Sequence, residues 1–99
     1  MPKYRILLNG RNFWMNLENT FGRFGFYTWR YVEAQTSEEA ERLAVDLVRG
    51  EETLRSAVLN ASSDPPTIYV EEIDELEFFD GITPPGAGRT WYREDDTQQ

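Results

Sequence analysis

The sequence predicts a small α+β domain, in which an antiparallel sheet of about four strands packs one face against helix in the order β-β-β-α-α-β. Two stretches in the first third of the chain alternate apolar and polar residues with the period of a strand. The stretch 40–48 has the period of a helix, and a strand-forming run follows Pro65 and Pro66. Ninety-nine residues, 39% of them hydrophobic and 14% aromatic, are enough for one folded domain.

The first element, from Tyr4 to Leu17, is predicted to be a β-hairpin. Asn9 and Gly10 are the residues that a type I′ turn prefers, because both accept positive φ angles. Counting outward from that turn places Arg5 over Trp14 on one face as a cation–π pair. The other face is predicted to be buried and carries Tyr4, Ile6, Leu8, Phe13 and Met15.

The next strand is predicted from Phe26 to Ala34, after a loop at 18–25 that contains Gly22 and Gly25. Its residues alternate between two sets, and both sets carry large side chains. Which set faces the core stays open. One set is Phe26, Thr28, Arg30 and Val32; the other is Tyr27, Trp29, Tyr31 and Glu33.

A helix is predicted to begin at the capping box formed by Thr36 and Glu39 and to end or kink at Gly50. Leu43 and Leu47 should be buried against the sheet, because they share a face with other apolar residues at helical spacing. A second short helix is predicted over 51–59.

A strand is predicted from Thr67 to Val70, with an extension toward Phe79 and a β-bulge near Glu71 and Glu72, where the alternation breaks. The single domain is predicted to occupy 1–80. Residues 81–99 are predicted to be a flexible, Gly/Pro-rich acidic tail, in which Trp91 and Tyr92 interrupt the polar composition.

Catalysis is not expected, because the chain has no cysteine and no histidine. The usual thiol nucleophile, the usual general base near neutral pH and the commonest metal ligands are therefore missing. No catalytic, cofactor-binding or metal-ligating residue is predicted. The acidic run at 71–80 matches no calcium loop and is interpreted as a solvated strand edge. A small carboxylate-dependent hydrolase is the third functional alternative.

The net charge of −8 is unevenly distributed, with +1 in residues 1–50 and −9 in residues 51–99. Acidic protein is repelled by phosphate backbones, so we expect no binding to nucleic acid. A basic protein partner is compatible with this charge. The first residues contain no apolar signal segment and no run is long enough to span a membrane, so we expect a cytoplasmic protein without membrane contact.

The surplus of aromatic residues predicts an interaction surface. One face of a strand would expose several rings, more apolar area than monomers usually leave uncovered. We expect this face to be covered by the tail, through its two aromatic residues, or by a second subunit in a homodimer. The predicted surface comprises Arg5, Trp14, Tyr27, Trp29, Tyr31, Trp91 and Tyr92.

The stretches Gly25–Thr28, Val32–Ala34 and Ser37–Glu41 resemble small bacterial proteins of unassigned function, and 67–77 is similar to their final strand. This resemblance implies a bacterial or phage origin. The strand and helix order also resembles HicB-type antitoxins, although the chain lacks their Gly-Cys segment and their DNA-binding helices. We therefore expect a non-catalytic protein-interaction domain. The alternative is an acidic, antitoxin-like inhibitor that masks a basic, nucleic-acid-binding partner.

Overall fold

A computed structural model describes residues 1–94 and contains one four-stranded antiparallel sheet with two helices, which confirms the α+β class. The strands lie in the order β3-β1-β2-β4. The chain order is β-β-α-α-β-β, which differs from the predicted order because the first predicted hairpin is one strand and a further strand forms late in the chain. The elements are β1 (Lys3–Leu17), β2 (Thr20–Glu33), α1 (Ser37–Arg49), α2 (Glu52–Ala57), β3 (Thr67–Leu76) and β4 (Thr90–Arg93).

The predicted hairpin at Asn9 and Gly10 is wrong, because β1 runs through both residues. Gly10 lies against a neighbouring side chain: a β-carbon there would come within 2.2 Å of the Phe26 ring. The turn lies instead at Glu18 and Asn19, whose φ angles of 51° and 65° are positive, as a type I′ turn requires. The predicted loop at 18–25 is therefore wrong as well, since β2 begins at Thr20.

The predicted buried face of β1 is nevertheless right, because a β-bulge reverses the alternation. Arg11 and Asn12 together lie opposite Gly25, between the pairs Gly10–Phe26 and Phe13–Phe24. The extra residue moves the inward positions from even to odd numbers. The residues buried on both sides of the bulge are Tyr4, Ile6, Leu8, Phe13 and Met15.

The open question about β2 is settled by burial. Phe26, Thr28, Arg30 and Val32 face the core. Ile6 lies opposite Arg30, and Leu8 lies opposite Thr28, so the same sheet face continues from β1 into β2.

Helix α1 begins as predicted, with the Glu39 amide donating to Thr36 Oγ1 at 3.1 Å. It packs through Ala40, Ala44 and Val48 rather than through its leucines. Leu43 is half-buried and Leu47 is 39% exposed, so the prediction for Leu47 is wrong. Large side chains already fill the sheet face, and the small residues of α1 let the helix approach them closely. Gly50 follows the last residue of α1, and α2 is shorter than predicted.

Strand β3 lies at an edge of the sheet and contains the predicted bulge, with Glu71 as the extra residue opposite Leu7 and Leu8.

Strand β4 lies within the predicted tail and was missed, because it has only four residues and follows a Gly/Pro-rich run. Trp91 lies opposite Phe26, at the other edge of the sheet. Residues 95–99, at the end of the predicted tail, lie outside the described residues.

Candidate functional site

The sheet face turned away from the helices carries five aromatic side chains and one leucine. It is called here the aromatic face and comprises Leu7, Tyr27, Trp29, Tyr31, Tyr69 and Tyr92. Directly opposite residues of antiparallel strands share a face, and Leu7 lies opposite Trp29. Three of the rings remain open to solvent, with exposed fractions of 50% for Tyr69, 44% for Tyr27 and 36% for Trp29. No helix of residues 1–94 packs against this face.

Asn9 lies at the centre of the aromatic face, opposite Tyr27 on one side and Tyr69 on the other. Its side chain is buried, and its Nδ2 donates to Phe26 O at 3.0 Å and to Tyr92 Oη at 2.9 Å. These bonds hold the amide down between the rings, because a buried amide without partners would be costly. The side chain at the centre of the face is therefore held by hydrogen bonds to β2 and β4.

Arg5 stacks on Trp29, with its guanidinium 4.9 Å from the ring centroid, and does not contact Trp14 as the sequence predicted. The predicted pair depended on the hairpin at Asn9 and Gly10; with β1 continuous, Arg5 is nine residues along the strand from Trp14. Arg5 Nη2 also donates to Asp74 Oδ2 at 2.9 Å, and this hydrogen bond raises the pKa of Arg5. The cation is thus fixed at the β3 side of the face.

Trp14 lies near the turn end of the same sheet face, separated from the exposed rings. It stacks on Phe21, with centroids 5.7 Å apart, and Arg23 lies 5.9 Å from its centroid. Among the predicted surface residues, Arg5, Tyr27, Trp29, Tyr31 and Tyr92 come together, and Trp14 forms a separate cluster.

The two aromatic residues of β4 point to opposite faces. Tyr92 joins the aromatic face and packs on Tyr27, with centroids 5.6 Å apart. Trp91 packs on the helix side against Phe26, at 5.3 Å between centroids, so the prediction that it belongs to the same surface is wrong.

Tyr31 is half-buried at the far end of the aromatic face. Phe79 packs edge-on against its ring at 6.2 Å, and the Tyr31 amide donates to Pro85 O at 3.0 Å. Contacts from the segment after β3 thus cover one end of the face and leave its middle uncovered.

Sequence reasoning missed Leu7, Asn9 and Tyr69 as members of the face. Tyr69 could have been found, because it has the opposite parity to Ile68 and Val70 in a strand whose even-numbered residues are apolar. Asn9 was assigned to a hairpin turn that does not form, and Leu7 was not singled out because it is not aromatic.

Carboxylates neutralise the arginines of this sheet face. Arg5 is paired with Asp74, and Glu94 lies 3.7 Å from Arg11 and 3.4 Å from Arg23. The neighbouring edge strand adds Glu72, which lies opposite Leu7, and the bulged residue Glu71. The aromatic face is therefore apolar at its centre and acidic along one edge.

Within residues 1–94, no three acidic side chains converge closely enough to hold a metal ion. No helix of the same residues is long and apolar enough to cross a membrane. The chain matches no protein-family model, no curated protein and no solved structure in the comparisons made.

Proposed function

We propose that this chain is a non-catalytic protein-interaction domain that binds a partner protein through the aromatic face. The observation that carries the proposal is the exposure of Tyr27, Trp29 and Tyr69 on one face of the sheet. Tyrosine and tryptophan are enriched where proteins bind each other, since they remove large apolar areas from water at low entropic cost. The setting we propose is the cytoplasm of a bacterium.

The acidic edge beside the aromatic face favours a partner that carries basic residues around an apolar patch. β3 contributes Glu72 and Asp74 on this side of the sheet, and Glu71 bulges from the same edge. Complementary charge speeds association and selects between partners. This feature also supports the alternative role, an acidic inhibitor that masks a basic, nucleic-acid-binding protein. Self-association is the remaining possibility for the occupant of the face.

The experiment compares the wild-type chain with a Tyr27→Thr, Trp29→Thr double variant, in which threonine retains strand propensity without the rings. Leu59→Thr is the matched control, because Leu59 is an exposed apolar residue outside the sheet. Tagged proteins are used to capture partners from cells of the source organism, and light scattering measures the mass of each purified chain.

We expect a partner that wild type and Leu59→Thr retain equally and that the double variant releases. Loss of one central aromatic anchor typically weakens an interface by about 30-fold or more. If the occupant is a second copy, wild type is a dimer and the double variant a monomer. If wild type and both variants are monomers and all three capture the same partners equally, the proposal is refuted.

A further inference from the structure

On the helix side of the sheet, away from the aromatic face, lies a cavity of about 590 Å³. Apolar residues from β1, α2 and β4 form much of its wall, among them Met15, Leu54 and Trp91. Thr53 and Ala87 also line it and are exposed, so the cavity opens to solvent. Its size is within the range of small-molecule sites, about 300–1,000 Å³.

Arg30 lies in the wall of this cavity with a side chain only 1% exposed. Its Nη2 donates to Glu51 Oε2 at 2.7 Å, and its Nη1 donates to Trp29 O at 2.8 Å and to Thr28 Oγ1. Its Nε–H has no acceptor. Nη1 also lies 3.3 Å from Gly88 O. A buried guanidinium is costly unless it is fully paired, so the buried, unpaired Nε–H leaves Arg30 incompletely compensated within the protein.

Arg89 is the second cation of the cavity, and it shares Glu51 with Arg30 through a hydrogen bond from Nη2. Its guanidinium lies 5.0 Å from the Phe26 ring centroid and 5.8 Å from that of Trp91. Burial lowers the pKa of Arg30, and burial together with the positive charge of Arg30 lowers the pKa of Arg89.

The charges that line the cavity do not balance. Two guanidiniums face one carboxylate, so the cavity has an excess of one positive charge in a protein whose net charge is −8. A monoanion would restore neutrality. A guanidinium matches the planar, two-oxygen geometry of a carboxylate.

We propose that the cavity binds a small monocarboxylate with an apolar body, whose carboxylate pairs with Arg89 beside Arg30 and whose body packs against Leu54, Met15 and Trp91. This site does not depend on the proposed interaction role, because the two lie on opposite faces of the sheet. A phosphate group would carry a larger charge than the cavity has in excess.

The test uses isothermal titration calorimetry with phenylacetate as the probe. Phenylacetamide has the same body without the charge, and inorganic phosphate has charge without the body. Arg89→Met removes the guanidinium while retaining an unbranched stem. Arg55→Met changes the net charge equally from an exposed position on α2 that does not line the cavity.

A second pair of variants keeps the test decisive if Arg89→Met does not fold. Thr53→Trp places a large side chain at a position that lines the cavity, whereas Ser56→Trp makes the same change elsewhere on α2. Circular dichroism establishes that each variant is folded.

We expect phenylacetate to bind wild type, Arg55→Met and Ser56→Trp alike. Arg89→Met should weaken it by about 10- to 100-fold, as loss of charge-assisted hydrogen bonds does. Thr53→Trp should weaken it as well, because the indole occupies space in the cavity. Phenylacetamide should bind more weakly by a similar factor. Equal affinity for acid and amide, or no phenylacetate binding with a Kd below about 10 mM, would overturn the proposal. Binding of phosphate instead of phenylacetate would overturn the carboxylate assignment.

Discussion

Gly10 and Asn9 lie in the middle of β1, and at Gly10 an added β-carbon would collide with the Phe26 ring. The α-carbon of Gly10 lies under the Phe26 ring, and the Asn9 amide fits between Tyr27 and Tyr69. In sequence the pair is typical of a hairpin turn, because the same small or polar residues accept positive φ. The contact of Gly10 with Phe26 distinguishes a continuous strand from a hairpin turn. The two residues are far apart in sequence, so neighbouring residues alone do not predict this contact.

Gly10→Ala should therefore destabilise the protein by about 1–3 kcal/mol, since the added methyl group collides with a buried ring. The free energy of unfolding is measured by denaturant titration. Phe26→Leu provides the partner for a double-mutant cycle. The double variant should lose less stability than the sum of the two single variants, because leucine leaves room for the methyl group. Full additivity, or a loss below about 0.5 kcal/mol for Gly10→Ala, would show that the contact does not constrain this position.

Among the elements, the β1–β2 hairpin has a turn whose first residue, Glu18, is not one that the turn prefers. Glu18 has a φ of 51°, a conformation in which asparagine and glycine are more stable than glutamate. Long strands on either side, 15 and 14 residues, impose the turn despite this local preference. The same reasoning explains why the sequence predicted a loop there: tertiary pairing overrides the signals of Gly22 and Gly25.

Glu18→Asn should raise stability by about 0.5–1 kcal/mol, because asparagine tolerates the left-handed conformation. Thermal unfolding should show a midpoint about 2–8 °C higher. Glu18→Gln is the control, since it removes the same charge and keeps the unfavourable backbone preference. A gain of equal size in both variants would mean that charge, and not backbone conformation, limits the turn.

Elements with local signals were predictable, and elements fixed by distant partners were not. The cap of α1, the strand at 26–33 and the bulge in β3 each follow from neighbouring residues. The buried alanine stripe of α1 and strand β4 depend on what the opposite surface already contains. The aromatic face was therefore predicted only in part. Tyr27, Trp29 and Tyr31 share one strand and follow from its alternation, whereas Tyr69 and Leu7 join them only through the order of the strands in the sheet.

At the scale of the whole molecule, the sheet separates two surfaces of different chemistry. One side carries the helices and the cavity with Arg30 and Arg89. The other carries the aromatic face, bordered by the acidic edge of β3. Rings on an open sheet are also how some domains stack single-stranded bases, but those domains surround the rings with cations. Here the arginines nearest the rings are paired with carboxylates.

We therefore expect no binding of single-stranded or duplex DNA or RNA at physiological salt. A gel-shift series across salt concentrations measures this. Submicromolar binding that weakens steeply with added salt would contradict the expectation and would assign the aromatic face to nucleic acid.

The claim that the aromatic face is the interaction surface is tested most directly by site-specific photo-crosslinking in living cells. A photoreactive phenylalanine analogue replaces Trp29 in one strain and Leu59, as the control, in another. We predict a covalent adduct with one other polypeptide, or with a second copy of the chain, from position 29 and none from position 59. No adduct from position 29, or the same adducts from both positions, would contradict the account.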